Sequence, residues 1–279
     1  MRQGSYVGHY LGSYQLEQLI GQGGMGEVWR ASSPSDHTQV AIKVLREDLK
    51  GSRSARESFR KEAELTQCLR SPQSIKVINY SVTTEELPYM VMEYLDGEDL
   101  QKKLDREGSL PLTSALLIAM EVLKALSELH QAGYVHRDIK PSNIFILKHQ
   151  KSNEHIQIKI LDFGLAIASH ETPENGLRGS YLFMAPEQIK KQAVSPATDL
   201  YGVATLLFMM ITGSPPFKPT GADQIFAQLE QYVPTLSKRV PHISIPNALD
   251  QLLVRCLAKE ASSRPDNADV LRRALAYIL

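Results

Sequence analysis

The sequence predicts an α+β protein in two parts, a strand-rich beginning and a helix-rich remainder. Three observations carry that expectation: the hydrophobic period changes near residue 95, a short turn-like stretch marks the change, and no internal repeat competes with it. Tyr14 to Ile20 and Glu27 to Ala31 read as strands on either side of a glycine-rich turn. Val40 to Leu45 is a short apolar run rich in β-branched residues, and Lys76 to Val82 and Tyr89 to Glu93 resemble it. One amphipathic helix, Ser54 to Leu69, interrupts the strands and stops before Ser71-Pro72. Tyr94-Leu95-Asp96-Gly97 reads as a hinge. Beyond it, Thr113 to His130 is amphipathic with Gly133 placed as its stop, and Leu200 to Thr212 is apolar all round until Gly213-Ser214-Pro215-Pro216. Ala248 to Ala258 and Ala268 to Ile278 are further amphipathic helices.

Composition narrows the function classes. The 279 residues suffice for one large domain or two smaller cores, with 43% hydrophobic and 22% charged residues, as in ordinary globular chains. Lys+Arg and Asp+Glu both number 31, so no broad basic surface favours nucleic acid. Two cysteines, Cys68 and Cys256, make neither a disulfide framework nor a zinc site alone, which fits a reducing compartment. No run reaches the ~18–20 apolar residues that span a bilayer, and Met1 to Tyr10 does not resemble a secretory signal. A cytoplasmic segment is expected, with an anchor beyond Leu279 left open.

Gly21-Gln22-Gly23-Gly24-Met25-Gly26-Glu27-Val28 matches G-x-G-x-x-G-x-V, where glycines let backbone N–H groups approach phosphate oxygens. A dinucleotide-binding loop would need a helix after the last glycine, whereas Glu27-Val28-Trp29-Arg30-Ala31 reads as a strand. Lys43 ends Val40-Ala41-Ile42-Lys43; such a lysine is ordinarily a surface residue, but in register with the loop it can reach α- and β-phosphates. It needs an anion to hold it, and Glu62 is preferred over Glu64 because the apolar face of the helix begins there.

His136-Arg137-Asp138-Ile139-Lys140-Pro141-Ser142-Asn143 concentrates polar groups between apolar runs. Asp138 can take a proton from a hydroxyl, Lys140 can neutralise a transferring phosphoryl, and Asn143 can offer its carbonyl to magnesium, while His136 reads as packed scaffold. Nineteen residues on, Asp162-Phe163-Gly164 follows a predicted strand, Ile156 to Leu161, and makes Asp162 the main candidate metal ligand. Met184-Ala185-Pro186-Glu187 closes the segment, with Glu187 a candidate partner for Arg264.

From about Tyr14 onward these motifs resemble the protein kinase catalytic domain, and Gly23 to Val28 with His136 to Asn143 look most like the eukaryotic-like serine/threonine kinases of bacteria. The resemblance implies a two-lobed kinase fold: an N-lobe with a small antiparallel sheet and one main helix (14–94), a larger helical C-lobe (95–279), and 1–13 as an extension. It also implies ATP and Mg²⁺ between the lobes and protein substrates with Ser/Thr acceptors. By carry-over, Ile20 and the loop Gly21, Gln22, Gly23, Gly24, Met25, Gly26, Glu27 and Val28 contact nucleotide. Val28, Ala41 and Phe145 sandwich the adenine, Met92 is the gatekeeper, Glu93 and Leu95 offer backbone groups, and Asp99 lies near the ribose. Asp138 becomes the base, Lys140 the phosphate-stabilising residue, Asn143 and Asp162 the magnesium ligands, and Asp199 the brace of the catalytic loop. Lys140 and Ser180 imply serine/threonine specificity. Two departures, Ser71-Pro72-Gln73 for His-Pro-Asn and Ala204 for a glycine, remove no catalytic group. The segment from Asp162 to Glu187 is short; Ser169, Thr172, Ser180 and Tyr181 are its hydroxyls, with Thr172 preferred as a phosphosite. The alternatives are a pseudokinase scaffold and a small-molecule kinase, which would lack the Ala-Pro-Glu segment.

Overall fold

In the computed structural model, which describes residues 6–148, 156–172, 180–217 and 223–279, the chain forms two compact units. The first comprises residues up to Arg70 and Ser74–Asp96; the second comprises Ser71–Gln73 and everything from Gly97.

The first unit is an antiparallel sheet with one long helix. Its strands are β1 (Tyr10–Leu11), β2 (Tyr14–Gln22), β3 (Gly26–Ser32), β4 (Gln39–Leu45), β5 (Val77–Val82) and β6 (Pro88–Glu93), ordered β1-β2-β3-β4-β6-β5. The helix α1 (Arg53–Cys68) starts at Ser52, whose side chain accepts the Ala55 N–H and so satisfies an otherwise unpaired amide. Alternation along the strands buries Trp29, Ile42 and Val91 on one side. The same register puts Val28, Lys43 and Met90 in one cross-strand row, with Arg30, Ala41 and Met92 in the next. Partners in such rows share a face. Val28, Ala41, Lys43 and Met92 therefore line one side of the sheet.

The second unit is helical with short strands. Its elements are β7 (Gly97–Asp99), α2 (Leu100–Glu107), α3 (Leu112–Gln131), β8 (Tyr134–Val135), β9 (Ile144–Leu147), β10 (Ile158–Ile160), β11 (Ile167–Ala168), α4 (Pro186–Ile189), α5 (Pro196–Thr212), α6 (Asp223–Glu230), α7 (Leu236–Arg239), α8 (Asn247–Cys256) and α9 (Ala268–Ile278). Helix α3 buries Leu116, Ala119, Leu123 and Leu126 at helical spacing against α5 and α9. Helix α5 is apolar on every side because it is enclosed; Leu206, Leu207, Phe208 and Met210 are all fully buried. It ends at Gly213 in the left-handed conformation (φ 71°), the C-terminal stop expected from sequence. Two paired ribbons, β7-β9-β10 and β8-β11, frame the polar loop between Val135 and Ile144.

Gly97 is required by close approach. A Cβ there would lie 2.1 Å from the Ile146 carbonyl oxygen, where β7 pairs with β9. Gly97→Ala is expected to destabilise the second unit by about 1–3 kcal/mol or more, measured as a lowered denaturation midpoint. Wild-type stability in that variant would show that the strand can shift away.

Candidate active site

Each unit carries its own group of functional side chains. In the first, β2 and β3 form a hairpin whose turn is closed by the Gly23 N–H donating to the Gly26 carbonyl at 2.9 Å. Gly26 is glycine for a packing reason: a Cβ would come 2.7 Å from the Val44 carbonyl oxygen. Gly24 has nothing within 4 Å of such an atom, and the nearest atoms to Gly21 and Gly23 are at 3.6 and 3.9 Å. Packing within this unit therefore does not demand glycine at those three positions. Ile20 is 41% exposed at the end of β2.

Lys43 Nζ meets Glu62 Oε1 of α1 at 2.5 Å, with the two side chains 13% and 3% exposed. Glu64 instead pairs with Arg60 on the exposed face of the helix. The apolar stripe that turns Glu62 inward leaves Glu64 outside, which decides between the two carboxylates weighed from sequence. Lys43→Met, which removes the ammonium held by Glu62, is expected to lower kcat/KM with ATP by about 10²-fold. Turnover within a few-fold of wild type would remove Lys43 from the chemistry.

In the second unit the loop after β8 is built around Asp199, the first-turn acid of α5. Its carboxylate accepts the His136 N–H at 2.8 Å, the Arg137 N–H at 2.7 Å and His130 Nε2 at 2.8 Å. Arg137 takes φ 71°, a costly conformation for a side chain of its size, which points adjacent amides at one carboxylate. Burial pushes the Asp199 carboxyl up, but the hydrogen bonds it accepts from His130 and the Arg137 amide act against this, and the net shift is down. His136 is wholly buried, packs on Phe163 with ring centroids 5.0 Å apart, and accepts the Asp138 N–H at Nδ1. Burial depresses its pKa, so it stays neutral. It is scaffold, as expected. His130, which carries no recognisable motif of its own, escaped the sequence reading.

Asp138 is 7% exposed. Its Oδ2 takes Lys140 Nζ at 2.5 Å and Asn143 Nδ2 at 3.0 Å, while its Oδ1 is buried without a hydrogen-bond partner among the described residues. Asn143 Nδ2 also donates to the Asp138 carbonyl at 2.8 Å, so the amide is held with its nitrogen toward Asp138. The Leu161 N–H donates to the Asn143 carbonyl at 2.9 Å as β10 runs back along β9, and this sets Asp162 beside Asn143 in the fold. Asp162 Oδ1 accepts the Gly164 N–H at 2.8 Å. A neutral amide oxygen and a carboxylate suit a small hard cation, and two protein ligands are what magnesium takes when phosphates and water complete its shell. Among the described residues no group of three or more His, Cys, Asp or Glu is arranged so that it could hold a metal ion.

The other residues expected from sequence to meet nucleotide divide between the units. Met92 is buried on β6, and the Glu93 N–H already donates to the Lys76 carbonyl at 3.0 Å. Leu95 is half-buried in the stretch before Gly97. Phe145 lies on β9, paired with Asp99. Asp99 also has a local duty: its carboxylate caps α2 by accepting the Lys102 N–H at 2.9 Å. Thr172 is exposed and Ser169 and Ser180 half-buried, whereas the middle of that segment, residues 173–179, lies outside the described residues.

The Ala-Pro-Glu segment is fastened from below. Arg264 grips Glu187 with both guanidinium nitrogens, at 2.7 and 2.8 Å, and Thr198 Oγ1 donates to the same carboxylate at 2.8 Å. Residues 14–275 match the protein kinase domain family.

The chain belongs to the protein kinase family.

It is 34% identical to the serine/threonine-protein kinase pkn3 of Myxococcus xanthus, over 98% of this chain and 51% of that protein. It is 32% identical to the serine/threonine-protein kinase PknB of Mycolicibacterium smegmatis, over 97% of this chain and 43% of that protein. Among solved structures, the kinase domain of Mycobacterium tuberculosis PknI superposes with a TM-score of 0.73 at 25% identity, covering 98% of both chains. The chain thus spans about half the length of pkn3 and less of PknB. The kinase fold accounts for the sheet-and-helix first unit and the helical second one. Membership in the family implies ATP as co-substrate and, typically, Mg²⁺. Among the described residues no helix is long and apolar enough to cross a membrane.

Proposed function

We propose that this chain, with residues 14–279 as catalytic domain, transfers the γ-phosphoryl of ATP to Ser/Thr hydroxyls of proteins, its own included. The observation that supports it best is the state of Asp138. Lys140 and Asn143 occupy one carboxylate oxygen, and the other is buried without a partner among the described residues. A buried acceptor costs free energy unless it is used, and an incoming hydroxyl would use it.

The remaining roles follow from charge and reach. Lys43, held by Glu62, binds phosphate oxygens, and the glycines at 21, 23 and 24 let backbone amides approach them. Ile20, Val28, Ala41, Met92 and Phe145 supply apolar surface to the adenine, Glu93 and Leu95 polar backbone groups, and Asp99 a carboxylate for the ribose. Asn143 and Asp162 would hold Mg²⁺, which when bound supplies positive charge to the phosphate oxygens. Lys140 sits 2.5 Å from Asp138, placed to neutralise the phosphoryl as the hydroxyl approaches. Catalysis in this scheme is positioning plus electrostatics. Lys140 and Ser180 favour serine and threonine over tyrosine, Thr172 is the proposed site of control, and the cytoplasm is the proposed location of the segment.

Labelled ATP offered to a protein mixture and to small metabolites in parallel tests the class. Label in protein as phosphoserine or phosphothreonine is the expected outcome. Label confined to metabolites would overturn it.

A further inference from the structure

We propose that Gln228 is a positioning residue for the protein acceptor, holding the turn Tyr181–Phe183 in place through its side-chain amide. This inference rests on the protein-kinase reading above. Gln228 lies on α6 and is 1% exposed. Its Nε2 donates to the Leu182 carbonyl at 2.8 Å and the Tyr181 carbonyl at 3.3 Å. Its Oε1 accepts the hydroxyl of Tyr201, on α5. Burial raises the Tyr201 phenol well above its usual range, so it stays protonated and donates. Both amide protons and the amide oxygen are then committed.

Each end of this arrangement is fixed independently. The Tyr201 ring lies under the Arg264 guanidinium, 5.0 Å from its centroid, and Arg264 is the partner of Glu187. At the end of α6, Lys259 Nζ donates to the Ala227 and Gln228 carbonyls at 3.2 and 2.8 Å and sits 3.8 Å from the Phe217 ring centroid. The turn itself is tied to the catalytic loop on its other side. Gln188 accepts the Ala185 N–H at 3.0 Å and donates to the Arg137 carbonyl, next to Asp138, at 3.0 Å. Residues 181–185 are thus suspended between Gln188, which leads to Asp138, and Gln228, which leads to the buried core. Because Gln188 joins this segment to the residue before Asp138, the turn borders the approach of a polypeptide that presents its hydroxyl to Asp138. Gln228 therefore sets where the acceptor backbone lies, while the nucleotide groups in the first unit are untouched by it.

The test is steady-state transfer to a protein acceptor by wild type, Gln228→Met and Tyr201→Phe. Met keeps the volume and removes both donors; Phe keeps the ring over Arg264 and removes one hydroxyl. About a tenfold rise in KM for the acceptor is expected for Gln228→Met and a smaller rise for Tyr201→Phe, with KM for ATP within twofold. KM for both substrates changing together, or neither changing, would overturn the inference. If Gln228→Met does not fold, Tyr201→Phe decides by the same split. Wild type transferring nothing to any protein would instead refute the reading on which the inference rests.

Discussion

Asp138→Asn is expected to lower kcat for protein phosphorylation by roughly 10²–10⁴-fold, the range for loss of a positioned general base, while ATP still binds. The amide is nearly isosteric and keeps an oxygen for Lys140 and Asn143, so the loop held by Asp199 should stay in place. Two backbone hydrogen bonds to Asp199, itself held by His130, fix that loop without help from the Asp138 carboxylate. The loss should therefore appear in turnover, with the denaturation midpoint little changed. A variant with near-wild-type kcat would show that the hydroxyl is activated elsewhere.

Arg264→Ala is expected to cost about 3–5 kcal/mol, because it strands the Glu187 carboxylate in the interior. The two side chains are 0% and 7% exposed, and Arg264 also donates to the Ala197, Ala258 and Lys259 carbonyls. Removing it leaves five acceptor atoms short of a donor, of which Glu187 keeps only Thr198. Replacing both partners, Glu187→Leu with Arg264→Met, should recover much of the loss, since an apolar pair of similar volume leaves no buried charge. Denaturant unfolding of the two single variants and the double variant measures this directly. Additive losses would mean the pair is not coupled.

What sequence could disclose follows from which interactions are local. The strands and helices with strong periodicity appear within four residues of their expected ends: Tyr14–Gln22, Gln39–Leu45, Arg53–Cys68, Leu112–Gln131, Pro196–Thr212 and Ala268–Ile278. Their patterns encode burial on one side or on all, and burial is what the fold satisfies. The short strands at Tyr10, Gly97, Tyr134 and Ile167 were not legible, because two or three residues carry no period; at Gly97, Tyr134 and Ile167 the pairing is also decided by partners distant in sequence. The residues of the candidate site were legible where chemistry restricts the alternatives, as at Lys43, Asp138, Asn143 and Asp162. Glu187 and Arg264 were likewise legible as a pair, 77 residues apart. Gln228, His130 and the capping duty of Asp99 were not. A buried glutamine on an amphipathic helix has the same sequence signature as a solvated one, and only the carbonyls it meets distinguish them.

Catalysis and mere nucleotide binding are separated by following ATP binding and phosphoryl transfer to protein on one preparation of the wild-type chain with Mg²⁺. ATP binding together with accumulation of phosphoserine or phosphothreonine is expected, the transfer lost on chelating the metal. Tight ATP binding with no phosphoryl transfer to any protein, itself included, would contradict catalysis and leave a binding scaffold.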